Sequence, residues 1–148
     1  MTAGTSPDDG LPRHYMLDTS ALSRREKPGV ASRLTELIRL GLVARCIASD
    51  LEAGIMARNG REYREIRGER ARWLIVEIEY EVAERARAVQ GQLVAKGEHR
   101  GVKSFDLLIA AAAEVAGLVV LHYDRDYDRI AKVTGQPCEW IVPAGEAD

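Results

Sequence analysis

Cysteine is scarce in this chain. The 148 residues hold two, Cys46 and Cys138, far apart and each in an apolar stretch. Neither stands in a CxxC or CxxH spacing, which argues against a zinc site and against a disulfide framework. Both are expected to act as small buried hydrophobes. Long apolar runs are missing too. The longest, around Leu107 to Ala113, is short of the roughly 18–20 residues that span a bilayer and reads as a buried helix. The opening MTAGTSPDDG has no basic n-region and no apolar h-region. Residues 1–13 are therefore expected to be a disordered leader and not a secretory signal, with the cytoplasm as the expected location. An excess of positive charge is also absent: 21 Lys and Arg against 23 Asp and Glu leave a net charge of −2. Bulk attraction to nucleic acid is thereby excluded, and any such contact has to use a local basic patch. There are no internal repeats and no low-complexity tracts.

What remains is the composition of a globular domain, 46% hydrophobic and 30% charged. The length suits one compact domain, expected over 14–143 with a short tail at 144–148. Tyr15-Met16-Leu17 reads as a buried strand ending in Asp18-Thr19-Ser20. Lys27-Pro28-Gly29 reads as a turn, followed by a helix over 30–40 closed by Gly41. Residues 42–48 read as a second strand. Ser49-Asp50 reads as a helix N-cap with Glu52 in the first turn, and Asn59-Gly60 as the end of that helix. A charged helical segment covers 61–74, and residues 75–80 read as a strand or a linker. Val82, Ala86, Val89 and Leu93 are spaced for a helix over 81–96. Ser104 reads as the cap of another helix with Asp106 in its first turn and Gly117 at its end. Residues 118–121 read as a strand, 128–134 as a helix and 139–142 as a last strand. Strands alternating with helices predict an α/β fold, a three-layer α/β/α sandwich around a mainly parallel sheet.

Four acids occupy one kind of position in that plan. Asp18 and Asp124 follow strand ends, and Glu52 and Asp106 open helices that start near such ends. In a parallel sheet the carboxyl ends of the strands share one edge, so the four side chains are expected to converge there. Converged carboxylates repel one another, and a cation relieves the repulsion. Oxygen donors without His or Cys favour Mg²⁺, with Mn²⁺ as a substitute. Such a centre suits phosphodiester hydrolysis by an activated water. Each acid also has a structural reading. Acids in first helical turns complement the helix dipole. Asp18 could serve as a helix cap and Asp124 as a turn residue.

Four segments, MLDTSAL (16–22), SDLEAGIMAR (49–58), KSFDLLIAAAAEVAG (103–117) and VLHYDRDYDRIAKVTG (120–135), carry a resemblance. In their order and content the chain resembles the PIN-domain nucleases, most closely the VapC toxins of bacterial toxin–antitoxin pairs. The resemblance implies a PIN-like fold over 14–143 and a Mg²⁺-dependent endoribonuclease. It aligns Asp18, Glu52, Asp106 and Asp124 with the family's metal-binding acids. Asp126 matches an auxiliary ligand, and Ser20 a hydroxyl that orients a ligand or its water. It further implies RNA cut to leave 5′-phosphates, a homodimer, and a cognate VapB-type antitoxin as partner. The competing reading is a PIN-fold module that binds RNA or protein without catalysis. A receiver domain needs a Lys on a late strand, and a haloacid-type phosphatase needs Asp-x-Asp after the first strand. Neither pattern is present.

Arginines 58, 61, 64, 67, 70 and 72 trace a helical stripe among Glu62, Glu65 and Glu69. Arg58, Arg61 and Arg64 are candidate RNA contacts, against the alternative of a solvated face of Glu–Arg pairs. His122 is expected to be a partly buried strand-end residue. His99, Arg100 and Lys103 read as solubilising charges, with substrate phosphate as the alternative partner. Trp73 and Tyr80 read as core or interface anchors, and Trp140 as core. The helices flanking the stripe are candidates for a groove that takes an amphipathic partner helix.

Overall fold

The computed structural model describes residues 13–148. Nearly all of the expected leader lies outside the described residues. Among the described residues five strands form one sheet: β1 Tyr15–Leu17, β2 Val43–Arg45, β3 Leu74–Ile75, β4 Val119–His122 and β5 Cys138–Trp140. Their order is β3-β2-β1-β4-β5, and every pairing is parallel. Met16 stands opposite Ala44 on one side and Val120 on the other. Seven α-helices connect the strands: α1 Thr19–Leu22, α2 Pro28–Arg39, α3 Ile47–Ile55, α4 Gly60–Arg70, α5 Tyr80–Ala95, α6 Ser104–Ala116 and α7 Asp126–Thr134. No helix among the described residues is long and apolar enough to cross a membrane.

The central strands β1 and β4 are buried along their whole length because both faces of a parallel sheet are covered there. Side chains alternate between the faces. Tyr15, Leu17, Val119 and Leu121 pack against Val30 and Leu34 of α2 and against Ile141. Met16, Ala44 and Val120 pack against Val82, Ala86, Val89 and Leu93 of α5 and against the 109–113 stretch of α6. Ile109 to Ala113 are all buried, so α6 is the inner helix of its layer. Its alanines leave room for the sheet and α5 to close on it.

The element boundaries correct several sequence expectations. Pro28 and Gly29 open α2 and do not form a turn, because proline is preorganised for the first helical position. The second strand stops at Arg45, and Ile47 and Ala48 already belong to α3. The cap of α3 is Cys46, whose backbone N–H and C=O both bond the Ser49 hydroxyl, at 3.0 and 2.9 Å. Glu52 therefore sits mid-helix. Asn59 does not end a helix. It caps α4, its side-chain oxygen accepting the Glu62 N–H at 2.9 Å. Lys103, and not Ser104, is the cap residue of α6. Helix α7 begins at Asp126, and the last strand ends at Trp140. The last residues dock onto the domain: the Tyr123 hydroxyl accepts the N–H groups of Gly145 and Ala147 at 2.8 and 3.0 Å and donates to Asp148 at 2.7 Å. Ala147 is buried there.

Candidate functional site

The strand order reverses direction at β1. From β1 the chain builds outward through β2 and β3, then returns to place β4 on the other side of β1. Such a switch point leaves a crevice beyond the carboxyl ends of the two central strands, where ligands bind in open parallel sheets. Asp18 follows β1 directly, and Asp124 follows β4. Helices α3 and α6 bring Glu52 and Asp106 to the same edge.

Two groups of carboxylates result, and Asp106 belongs to both. Ligand atoms of Asp18, Glu52 and Asp106 lie within 4.8 Å of one another, as do those of Asp106, Asp124 and Asp126. Asp18 and Asp106 are almost wholly buried, at 3% and 1% exposure, so little water reaches them to screen their charge. Asp18 caps α1 as well, its Oδ2 accepting the Ser20 N–H at 3.0 Å and the Ser20 hydroxyl at 2.6 Å. The cap expected of Asp18 is formed, and the same carboxylate stands in the acidic cluster. Ser20 in turn accepts the Tyr123 N–H at 2.8 Å, which ties α1 to the end of β4. The Thr19 hydroxyl donates to Glu52 at 3.4 Å. Asp124 Oδ1 accepts the Asp126 N–H at 2.9 Å, closing the turn into α7. Asp106 Oδ2 is buried with no hydrogen-bond donor. A buried acceptor without a hydrogen-bond donor is costly, and with the Lys103 ammonium no nearer than 3.6 Å this oxygen suits a cation ligand. The donor set is carboxylate oxygen throughout, which fits a hard divalent ion.

The electrostatics follow from this crowding. Burial, Asp126 and the charge of Asp18 push the Asp106 carboxyl well above the usual carboxylate range. Burial and the Asp18 charge raise Glu52. Burial holds His122 neutral, down to about 4. Its Nδ1 accepts the Asp124 N–H at 3.1 Å, so the imidazole is a structural acceptor beneath the site. It is wholly buried, not partly so as expected.

Two residues of the site carried no such assignment from the sequence. The Lys103 ammonium lies 2.7 Å from Asp124, 3.3 Å from Asp126 and 3.6 Å from Asp106. Burial opposes its charge, but the hydrogen bond to Asp124 and the neighbouring acids prevail and raise its pKa. The signal was its place three residues before Asp106, one helical turn away. Tyr127, fully buried, donates its hydroxyl to Asp18 at 2.7 Å and approaches Asp106 at 3.3 Å. The signal was its place directly after Asp124-Arg125-Asp126 in the fourth segment that carries the resemblance.

The arginine stripe divides. Arg58 pairs with Glu62 at 2.7 Å on the surface. Arg61, Arg64 and Arg67 are exposed and form no ion pair among the described residues. Arg70 departs from the stripe and is buried. Its Nε donates to Asp50 at 2.7 Å, Arg45 meets the other Asp50 oxygen at 2.6 Å, and the Arg70 guanidinium lies 4.9 Å from the centre of the Trp73 ring. Trp73 is core, whereas Tyr80 is 79% exposed and Trp140 only half-buried.

A family model of the PIN domain matches residues 15–133. The chain belongs to the PIN-domain family. The curated relatives of this PIN domain include ribonuclease VapC51 of Mycobacterium tuberculosis, 47% identical over 134 residues that cover 90% of this chain and 97% of that protein. Ribonuclease VapC21 of the same organism is 46% identical over 134 residues, with the same coverage of 90% and 97%. Among solved structures, a chain of the DNA-bound VapBC of Salmonella typhimurium superposes with a TM-score of 0.71 at 20% identity, covering 88% of this chain and 99% of that one. At that identity the likeness speaks for the fold, and the parallel sheet of this PIN domain agrees with it.

Proposed function

We propose that this PIN domain is a metal-dependent endoribonuclease, the toxin of a toxin–antitoxin pair. One observation carries the reading: Asp18, Glu52 and Asp106 converge within 4.8 Å at the switch point of the sheet, with Asp106 Oδ2 buried and without a hydrogen-bond donor. The VapC ribonucleases it is 46–47% identical to support the same reaction class. Asp18, Asp106 and Glu52 would hold Mg²⁺, or Mn²⁺ in its place, with Asp124 beside them. When bound, the ion supplies Lewis acidity to the phosphodiester and eases deprotonation of the attacking water. Ser20 and Tyr127 hold the two Asp18 oxygens in place from opposite sides, which fixes a ligand that would otherwise swing. Asp126 fixes the backbone of Lys103 by accepting its N–H at 3.1 Å. Exposed Arg61 and Arg64 offer phosphate contacts outside the pocket, with Arg58 engaged by Glu62. The protein contributes position and charge, and no nucleophile of its own.

Partners follow from the same reading. A cognate VapB-type antitoxin would lay an amphipathic segment into the groove lined by Leu22, Ala53, Met56 and Ile66 beside Trp73. A second copy would cover the apolar stripe Ile47, Leu51 and Ile55, which are 50%, 52% and 82% exposed at successive turns of α3.

The test is incubation of the purified protein, freed of any partner, with total RNA and Mg²⁺ or Mn²⁺, beside an Asp18→Asn/Asp106→Asn variant. Discrete fragments with 5′-phosphates, abolished by EDTA and by the variant, are the expected result. No cleavage together with no metal binding by calorimetry would replace this reading with that of a non-catalytic binding module.

A further inference from the structure

The acids form two groups that share Asp106, yet the chain treats them differently. Asp18 and Glu52 bond only to neutral hydroxyls and an N–H: Ser20 and Tyr127 on Asp18, Thr19 on Glu52. Neither forms an ion pair with Lys or Arg among the described residues. The other group already holds a cation of the chain. The Lys103 ammonium sits 2.7, 3.3 and 3.6 Å from oxygens of Asp124, Asp126 and Asp106, touching every member.

This placement is built in. Lys103 is the cap residue of α6, so the helix start that delivers Asp106 also delivers Lys103. Its own N–H bonds Asp126 Oδ2 at 3.1 Å, which fixes the backbone from which the side chain reaches back. The side chain is 60% exposed, so its charge is held by these carboxylates and not by confinement. An ammonium has three donors. Asp124 and Asp126 take two, and Asp106 Oδ2 lies 3.6 Å away.

We propose that Lys103 stands where a second metal ion would otherwise bind, so that the chain takes one divalent cation, at Asp18, Glu52 and Asp106. The inference rests on the metal-site reading above and adds its stoichiometry. A divalent ion entering between Asp124 and Asp126 has to break the two shortest contacts of the ammonium, whereas Asp18 and Glu52 hold no cation and the ammonium reaches their group only through the shared Asp106, at 3.6 Å.

Counting bound Mn²⁺ tests this, by calorimetry and by electron paramagnetic resonance of the free ion. The full chain should bind one Mn²⁺. Lys103→Met, which keeps an unbranched stem one atom shorter and removes the charge, should bind two, with the first about tenfold tighter because a neighbouring positive charge is gone. Lys103→Arg should still bind one. Circular dichroism establishes that the variants are folded, and Lys103→Gln replaces the Met variant if that one is not. Two ions on the unaltered chain overturn the proposal without any variant. One ion on both the unaltered chain and the charge-removed variant overturns it while leaving the metal site intact. No ion on either defeats the metal-site reading itself, and the Lys103 assignment with it.

Discussion

The Tyr127 hydroxyl donates to Asp18 Oδ1 across 2.7 Å from a side chain with no solvent exposure. The pair joins the last helix of the domain to the end of its first strand, 109 residues apart in sequence. Burial and the charges of Asp18 and Asp106 raise the phenol well above its ordinary range, which keeps it a hydrogen-bond donor at neutral pH.

Tyr127→Phe removes that donor and keeps the ring. It should leave a buried carboxylate oxygen unpaired and lower stability by about 1–3 kcal/mol in metal-free buffer. Urea denaturation in EDTA checks this. Saturating Mn²⁺ should recover part of the loss, because the cation satisfies the carboxylate that the phenol abandoned.

His122 predicts a pH dependence. Its folded-state pKa lies near 4, below the ordinary value of 6.5. Between those values the unfolded chain binds a proton that the folded one does not. This residue's contribution is therefore full above the ordinary value and is lost as pH falls towards 4. The loss is bounded by about 3 kcal/mol. Asp106, raised in the folded state, has the opposite slope in the same window, so only a difference isolates the histidine. His122→Asn, which keeps an acceptor for the Asp124 N–H, should flatten the drop in denaturation midpoint from neutral pH to pH 4.5. An unchanged difference would show that the imidazole is not held neutral.

Asp50 is the anchor of α4. Its two oxygens meet Arg70 and Arg45, and Asp50 and Arg70 are 7% and 3% exposed. Asp50→Asn leaves two guanidiniums facing one another and should cost about 3–5 kcal/mol in denaturant titrations. Glu62→Ala, in the first turn of the same helix, should lower the midpoint far less, since its ion-pair partner Arg58 lies in solvent.

Arg61 and Arg64 test the surface reading. Arg61→Ala/Arg64→Ala should weaken binding of single-stranded RNA, measured without metal by fluorescence anisotropy. The slope of log Kd against log salt should flatten by about 1.4, two contacts at roughly 0.7 each. An unchanged slope would make the stripe a solvated face.

Much of the fold was readable because its signals are local. The apolar run at 15–17, the spacing of Val82, Ala86, Val89 and Leu93, and the glycines after helices name elements from neighbours in the chain. Boundaries were misread where the local signal was ambiguous. Cys46 is an unusual cap, and its hydroxyl partner Ser49 lies three residues into the helix, so Ser49 looked like the cap itself. Asn59-Gly60 suits the end of one helix as well as the start of the next, and the Glu62 N–H decided for the start.

By itself the sequence determined the alternation of strands and helices and the residue types at the ends of strands. These follow from periodicity and from the chemistry of short motifs. It determined in that way that Asp18, Asp106 and Asp124 would stand at one edge, since all strands of a parallel sheet end together. Only the tertiary structure decided how the charges there are shared. Lys103 meets Asp124 and Asp126 across more than twenty residues of chain, Tyr127 meets Asp18 across 109, and Arg70 leaves its stripe to meet Asp50 across 20. Such pairings depend on which helix packs over which strand, and a side chain with one local environment in the sequence acquires its partner only when the layers close.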